Sequence, residues 1–187
     1  MQNVYEQCPN FENGNYLIRF SAKEDTLDLL KVYSDQKAVP FFNSDNCHGD
    51  DFHYTTEARM KQALDFWFSS YKNKDFVRWT ILDKKAHEAI GTIEIFHRQS
   101  HDYFTNCGLL RLDLRSDYEK EFEIKEILSL ILAPTFELFS CDKIATKAIS
   151  EAKERIRALD SMGFSASNEK LIGHDGTLYG DYHVLYL

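Results

Sequence analysis

The stretch of sequence best suited to chemistry lies between Gly108 and Leu132, where a predicted strand runs through a short polar turn into a predicted helix. The strand half alternates leucine with charged residues, the period of two that is typical of a half-buried strand. The helix half carries isoleucine and leucine at helical spacing. A strand that leads directly into a helix directs free backbone N–H groups outward, and such groups bind phosphate. The turn is therefore a candidate anion site, although most strand-turn-helix units serve only packing.

The elements that precede this unit are predicted from the same two periods. Tyr16 to Phe20 is a strand. Ser21 and Glu24 are placed as a capping box for a first helix, whose predicted buried face carries Leu27, Leu30 and Tyr33. The polar segment from Pro40 to Tyr54 is predicted to be a surface loop near a cleft.

A second helix is predicted from about Thr56 to Tyr71, and its apolar face is expected to be core rather than a pocket lining. Two strand patterns follow, Phe76 to Leu82 and Ala89 to Phe96, and the polar residues between them indicate an antiparallel hairpin. Gly91 is a candidate bulge in the second of these strands.

The elements after the central unit are predicted in the same way. Pro134 is expected to end or kink the central helix, because it cannot donate the backbone hydrogen bond to residue 130. A strand over Lys143 to Ile149 and a helix over Glu151 to Met162, capped by Gly163, come next. The chain is predicted to finish with a hairpin that joins Leu171–Ile172 to the strand from Tyr182 to Leu187.

Length and composition limit the classes of function. The 187 residues fit one domain, residues 1–187, with a substantial core. A net charge of −8, from 22 Lys+Arg against 30 Asp+Glu, disfavours nucleic acid and anionic membranes as partners. The start of the chain and the lack of a long apolar run support neither export nor membrane spanning.

The cysteines and histidines indicate neither a disulfide framework nor a metal site. The four cysteines are far apart and form no CxxC pair, which favours a reducing cytoplasm. His97 and His101 are four residues apart and Cys47, His48 and His53 share a loop, but neither group has structural-zinc spacing, so no metal is predicted. No G-x-S-x-G motif marks a hydrolase nucleophile.

The order of predicted elements resembles the GNAT acyltransferase fold over about the whole chain. Local segments resemble the branch of ribosomal-protein N-terminal acetyltransferases; these are YLIRFSAKEDTLDLLKVYSD, AIGTIEIF and KAISEAKERIRALDSMGF. The resemblance implies an α+β fold with a mixed, mostly antiparallel sheet of about six or seven strands flanked by helices. It also implies that two central strands splay apart at Leu110 to Leu114.

The same resemblance implies acetyl-CoA as cosubstrate and assigns residues to it. The family's Gln and two Gly of the pyrophosphate turn fall at Glu119, Lys120 and Phe122, so this turn lacks the glycines that let backbone N–H groups approach phosphate. Backbone groups of Leu112, Asp113 and Leu114 are expected to bind the pantetheine and thioester. The other residues implied for the cofactor are Glu121, Glu123, Ile124, Ala152 and Arg155, of which Arg155 either reaches a phosphate or is a solvated helix charge.

The reaction that the resemblance implies is direct attack of an amine on the acetyl thioester. A carboxylate in the cleft would accept the amine proton. Glu94 and Asp113 are the candidates, with the alternative that each is a charge on the wet face of a strand. Tyr179 and Tyr182 are candidates for the proton donor.

The function predicted from the sequence is thus an N-acetyltransferase that acts on a primary amine of a peptide, a protein N-terminus or a small metabolite. The missing glycines keep a second hypothesis open. This is a lapsed GNAT-fold module that binds CoA, a protein or another ligand without catalysis.

Overall fold

One eight-stranded sheet forms the centre of the structure, a computed structural model that describes residues 3–187. Its strands lie in the order β1-β2-β3-β4-β5-β6-β10-β7. The bounds are β1 Phe11–Glu12, β2 Tyr16–Phe20, β3 Val77–Asp83, β4 Glu88–Arg98, β5 Cys107–Leu114, β6 Lys143–Lys147, β7 Ser165–Ala166 and β10 Tyr182–Tyr186. The predicted fold class is confirmed, but the sheet is larger than the predicted six or seven strands. The difference lies at its edges, since β1 and β7 have two residues each and are too short to show a period.

Within residues 3–187, four α-helices flank this sheet and a separate hairpin lies beside it. The helices are α1 Thr26–Tyr33, α2 Glu57–Asn73, α3 Glu121–Leu138 and α4 Lys153–Ser161. The hairpin consists of β8 Leu171–Ile172 and β9 Leu178–Tyr179. The predicted end of the chain was therefore partly wrong, because β8 pairs with β9 while β10 joins β6 of the main sheet. Of the helices in residues 3–187, none has the length and apolar character needed to cross a bilayer.

Two central strands diverge as predicted. β5 and β6 are parallel neighbours, and their pairing runs from Cys107 opposite Lys143 to Leu110 opposite Thr146. β5 continues to Leu114 without a partner on that side, whereas β4 pairs with it along its other edge as far as Leu114. The gap between the diverging strands is called the notch below.

The start of α1 differs from the predicted capping box. A short 3-10 turn precedes the helix, and the carboxylate of Asp25 accepts the N–H of Ala22, while the Ser21 hydroxyl donates to the Arg78 carbonyl. This turn shifts the buried face of α1 away from Leu27, which is 60% exposed. Tyr33 is buried as predicted, and the rest of the buried face is formed by Leu29 and Val32.

The other helix signals were mostly correct. The Thr56 hydroxyl caps α2 by accepting the N–H of Arg59. Gly163 follows α4 with φ +91°, a backbone conformation that favours glycine. Pro134 was expected to kink α3 or to end it nearby; the helix continues for four residues to Leu138, and the kink stays a prediction. Buried residues on both sides of the proline, including Ile131 and Thr135, hold the helix against the sheet and offset one missing hydrogen bond.

A bulge lies beside Gly91, close to where it was predicted. Ile81 pairs with Gly91 and Leu82 with Ala89, so Ile90 is the additional residue. A Cβ at position 91 would collide with the carbonyl oxygen of Asp113 on the neighbouring strand. Glycine is therefore required here for close approach of two backbones.

Candidate active site

The strand end that borders the notch is buried in this structure. The end of β5 that borders it, Leu112 to Leu114, is almost fully buried, with exposed fractions of 2% or less. Two buried groups lie next to this end of β5: the side chain of Arg155 from α4, which is 1% exposed and whose charge acts on Asp113, and the segment that follows α1, in which the Asp45 carbonyl accepts a hydrogen bond from Arg111. The backbone groups predicted to bind a thioester are thus in place and covered by the protein's own chain.

Arg155 forms a two-bond ion pair with Glu119 at the notch. Arg155 Nε lies 2.7 Å from Glu119 Oε1, and Nη2 lies 2.8 Å from Oε2. The third donor, Nη1, reaches the carbonyl of Phe41 at 3.0 Å. Arg155 is therefore not a solvated helix charge, and its donors are engaged by protein groups rather than free for phosphate.

The predicted pyrophosphate turn is arranged around the chain's own carboxylates. The N–H of Ser116 donates to Asp35 Oδ2 at 2.9 Å, and the N–H of Glu121, the first residue of α3, donates to Glu154 Oε2 at 2.9 Å. Helix N-termini attract anions, and here a carboxylate already takes that place. In this arrangement the turn does not fit a pyrophosphate, since a phosphate at Glu121 would have to displace the carboxylate of Glu154.

The other turn residues are divided between surface and core. Lys120 is exposed, as is Phe122 at 70%. The carboxylate of Glu121 accepts Arg157 Nε, and that of Glu123 accepts the hydroxyl of Tyr16. Two predicted cofactor residues, Ile124 and Ala152, are buried in the interior.

The two predicted carboxylates meet in one buried network. Arg78, Glu94 and Arg111 are direct cross-strand partners on β3, β4 and β5. Arg78 Nη2 lies 2.5 Å from Glu94 Oε2, and Arg111 Nη1 lies 2.5 Å from Glu94 Oε1. Arg78 also donates to Asp113 Oδ2 at 3.0 Å, so its guanidinium joins the two carboxylates.

The environments of these carboxylates shift their pKa values in opposite directions. Burial alone would raise the pKa of Glu94, but the charges of Arg78 and Arg111 outweigh it and the pKa lies below its ordinary value. Burial raises the pKa of Asp113, and the charge of Arg78 offsets this only in part. Both Glu94 oxygens are engaged, which makes Glu94 a weak proton acceptor in this arrangement, while Asp113 is 0% exposed.

Tyr33 completes the network from α1. Its hydroxyl donates to Asp113 Oδ2 at 2.8 Å and accepts Arg78 Nη1 at 2.7 Å. Oδ1 of Asp113 and Nε of Arg111 are buried atoms without a hydrogen-bond partner among the described residues. Such buried groups without a partner carry a desolvation cost.

A two-chambered cleft lies beside the network. One cavity of about 590 Å³ runs along β4 and the β8–β9 hairpin, and another of about 600 Å³ lies under α2. Both are lined by Asn46, Asp75, Phe76, Glu94, Arg111 and His174. The N–H of His174 donates to Asn46 Oδ1 at 2.9 Å, so hairpin and loop meet over the cleft.

Of the two predicted proton donors, Tyr182 lies closer to this chemistry. It lines the first cavity, accepts a hydrogen bond from Asn43 and donates one to Asp45 Oδ2 at 3.1 Å. Burial and the nearby charge of Asp45 hold the pKa of Tyr182 well above its ordinary value, so the phenol keeps its proton. Tyr179 lies on β9, and its ring packs with the cluster that contains Phe104 and Leu171.

Sequence reasoning missed three important residues, Arg78, Asp45 and Lys147. A charge inside the apolar strand Val77–Asp83 was a signal for Arg78, because a buried arginine requires carboxylate partners. Asp45 and Lys147 carried no such signal. They are 102 positions apart, and only the fold brings them together.

Comparison with known proteins shows the fold. No family model and no curated protein matches the sequence. Among solved structures, the ribosomal-protein-S5-alanine acetyltransferase of Vibrio fischeri is 18% identical, with 94% of each chain covered and a TM-score of 0.69. A GNAT-family acetyltransferase from Bacillus anthracis is 12% identical, with 95% of this chain and 98% of that chain covered and a TM-score of 0.68.

A third structure contains a ligand. RimJ of Mycobacterium smegmatis, in complex with a CoA-disulfide, is 13% identical, with 92% of this chain and 81% of that chain covered and a TM-score of 0.68. Likeness at these identities is a likeness of fold. The chain therefore has the GNAT acyltransferase fold, as the sequence resemblance implied.

Proposed function

We propose that this protein is an N-acyltransferase that transfers an acetyl group from acetyl-CoA to a primary amine. The observation that carries the proposal is the position of Arg111. It is the first residue of β5 beyond the pairing with β6, so it borders the notch, and its side chain lines both chambers of the cleft. The notch and the cleft are thus adjacent, as transfer between a thioester in one and an amine in the other requires.

Several groups of this chain have defined tasks in the proposed reaction. The unpaired edge of β5 at Leu112 to Leu114 would supply hydrogen bonds to the acyl donor. Tyr182 stays the candidate for donating a proton to the leaving thiolate, and its raised pKa makes it a weaker acid than an ordinary phenol. The roles of Glu94 and Asp113 as proton acceptors stay predictions. Because both oxygens of Glu94 are bound by arginines and its pKa is lowered, it is the weaker base of the two carboxylates in this arrangement.

The lining of the cleft favours one class of acceptor. The cleft is lined by the rings of Phe52, Tyr54, Phe66, Trp67 and Phe76, and an exposed carboxylate, Asp75, borders both chambers. An amine attached to an apolar group, on a peptide or a small molecule, matches this lining. Single-domain organisation over residues 1–187 and a cytoplasmic location are also part of the proposal; the latter rests on four unpaired cysteines.

A second candidate function has its own support. The carboxylates of Asp35 and Glu154 occupy N–H groups of the turn, which favours a GNAT-fold module that has lost catalysis. Calorimetry with CoA and acetyl-CoA, followed by mass spectrometry of a panel of peptides and small amines incubated with acetyl-CoA, separates the candidates. Acetylated product, reduced in Tyr182→Phe, supports the enzyme. CoA binding without product supports the lapsed module, and no binding at millimolar CoA rejects the CoA assignment.

A further inference from the structure

The segment between α1 and α2 crosses the notch and is anchored on both sides of it. Residues 39–47, here called the strap, contact each element around the gap. On the β5 side, Arg111 Nη2 donates to the carbonyl of Asp45 at 2.8 Å. On the β6 side, Lys147 Nζ lies 2.7 Å and 2.9 Å from the two carboxylate oxygens of Asp45. One residue of the strap therefore connects the two strands where their own pairing has ended.

Two further anchors hold the strap to the far side of the notch. Arg155 of α4 donates to the Phe41 carbonyl, and Asn43 Nδ2 lies 3.3 Å from the hydroxyl of Tyr182 on β10. The ring of Phe42 packs on that of Tyr33 with centroids 5.3 Å apart. The strap thus spans the notch, because it is bound to Arg111 on β5, to Lys147 on β6 and to Tyr182 on β10, while Arg155 of α4 holds its Phe41 end.

The anchors are of a kind that can be exchanged for solvent. The Asp45–Lys147 pair is partly buried, with side chains 10% and 19% exposed. The strap contains no α-helix and no strand; its one regular element is a 3-10 turn over Val39–Phe41. The strap is held by these polar contacts and by the packing of Phe42, and a segment without helix or strand opens locally at lower free energy than a core strand.

We propose that the strap is a gate: it closes the notch in the free protein, and an acyl donor enters only when the Asp45 contacts to Arg111 and Lys147 are released. This inference rests on the proposed function, because it takes the notch as the donor site. The apparent affinity for CoA is then the intrinsic affinity of the open form multiplied by the fraction of molecules that are open.

The gate makes a quantitative prediction for Asp45→Asn, which weakens the ion pair and leaves the predicted CoA residues unchanged. Hydrogen–deuterium exchange of the peptide that covers the strap measures the open fraction, and calorimetry with CoA measures affinity. We expect exchange to accelerate several-fold and the Kd for CoA to fall by the same factor, since both depend on the same opening. Lys147→Met, which breaks the same pair from β6, should likewise accelerate exchange of the strap and lower the Kd for CoA by one common factor.

The control is Asp25→Asn. Asp25 forms an ion pair with Arg19 at 2.6 Å and is 5% exposed, but it does not contact the strap. This variant should alter global stability without changing exchange of the strap or CoA affinity. If it changes both as Asp45→Asn does, the effect comes from general destabilisation and the gate is rejected.

Failure of the gate and failure of the proposed function give different results. Unchanged exchange in Asp45→Asn means that the strap is a fixed part of the fold and overturns the gate, whatever CoA does. Faster exchange with CoA affinity equal to that of the wild type overturns the gate and leaves the acyltransferase proposal standing. Faster exchange with no CoA binding in any variant overturns both.

Discussion

Arg155 and Glu119 neutralise each other beside the notch through two hydrogen bonds of 2.7 Å and 2.8 Å. Both residues occupy positions that the family resemblance assigns to cofactor phosphates. Their side chains are 2% and 6% exposed, so each is the charge that makes burial of the other tolerable. The pair therefore joins α4 to the turn before α3, and Arg155 extends the same contact to the Phe41 carbonyl.

Breaking this pair should be strongly destabilising. Glu119→Gln leaves the guanidinium of Arg155 buried without a counter-charge, and removal of one partner from a buried pair costs about 3–5 kcal/mol. Urea denaturation of Glu119→Gln, of Arg155→Met and of the variant that combines these two substitutions measures this cost. The double variant should recover most of the loss, whereas additive single effects would contradict a mutual pair. Lys61→Met, which breaks an exposed pair with Glu57, is the control and should cost well under 1 kcal/mol.

Glu94 and Asp113 should affect stability with opposite dependence on pH. The folded-state pKa of Glu94 is lowered, so its stabilising contribution is full above its unfolded pKa and is lost as the pH falls through the folded pKa. The cost of Glu94→Gln should therefore be larger at pH 7 than at pH 3.5. The folded-state pKa of Asp113 is raised, so ionisation of this group weakens the fold as the pH rises.

Asp113→Asn should consequently cost more at pH 3.5 than at pH 7. Urea denaturation of both variants and the wild type at the two pH values measures whether the two costs change with pH in opposite directions. Each variant serves as the control for the other, because both retain the shape of the side chain and contact Arg78. Costs that change with pH in the same direction for both would contradict a lowered pKa of Glu94 together with a raised pKa of Asp113.

The fold could be predicted because its long elements carry clear periods. The leucines of β5 alternate along an eight-residue strand, and the apolar stripe of α3 repeats along an 18-residue helix. The buried face of α1 could not be assigned so easily. Leu27 with Leu30 and Leu29 with Val32 satisfy the same spacing, and the 3-10 turn before the helix decides between them.

The network at the site depended on register rather than on local pattern. Arg78, Glu94 and Arg111 each look like a single charge on a strand, and their contact follows from cross-strand pairing over three strands. The contact between Asp45 and Lys147 is still less local, since it depends on the path of a loop. For this reason the sequence identified Glu94 and Asp113 as candidates but not the arginine that joins them.

Gly91→Ala should destabilise the protein through backbone contact. The added Cβ would meet the carbonyl of Asp113 and the side chain of Leu114, which forces β4 and β5 apart beside the bulge. Overpacking of this kind costs about 1–3 kcal/mol. Gly14→Ala is the matched control, because nothing lies within 4 Å of a Cβ there, and it should be neutral or slightly stabilising. Equal thermal unfolding midpoints for the two variants would contradict the close approach at Gly91.

The exposed charges of the turn should tune CoA binding in opposite directions. Lys120 is the exposed cation at the start of α3, so Lys120→Glu should weaken CoA binding several-fold at low salt. The loss should shrink as salt is raised, because exposed charges are screened beyond about 10 Å at 0.1 M ionic strength. Glu154→Gln should tighten binding, since it removes the negative charge from the acceptor that now holds the N–H of Glu121.

Calorimetry with CoA at low and high salt measures both effects, and Lys61→Glu on α2 controls for the change in net charge. If Lys61→Glu weakens binding as much as Lys120→Glu, the effect belongs to the overall charge of −8 and not to the turn. If Lys120→Glu and Glu154→Gln both leave the Kd unchanged while the wild type binds CoA, the phosphates lie elsewhere. The assignment of the turn from Glu119 to Ile124 would then be withdrawn, and the notch alone would remain as the donor site.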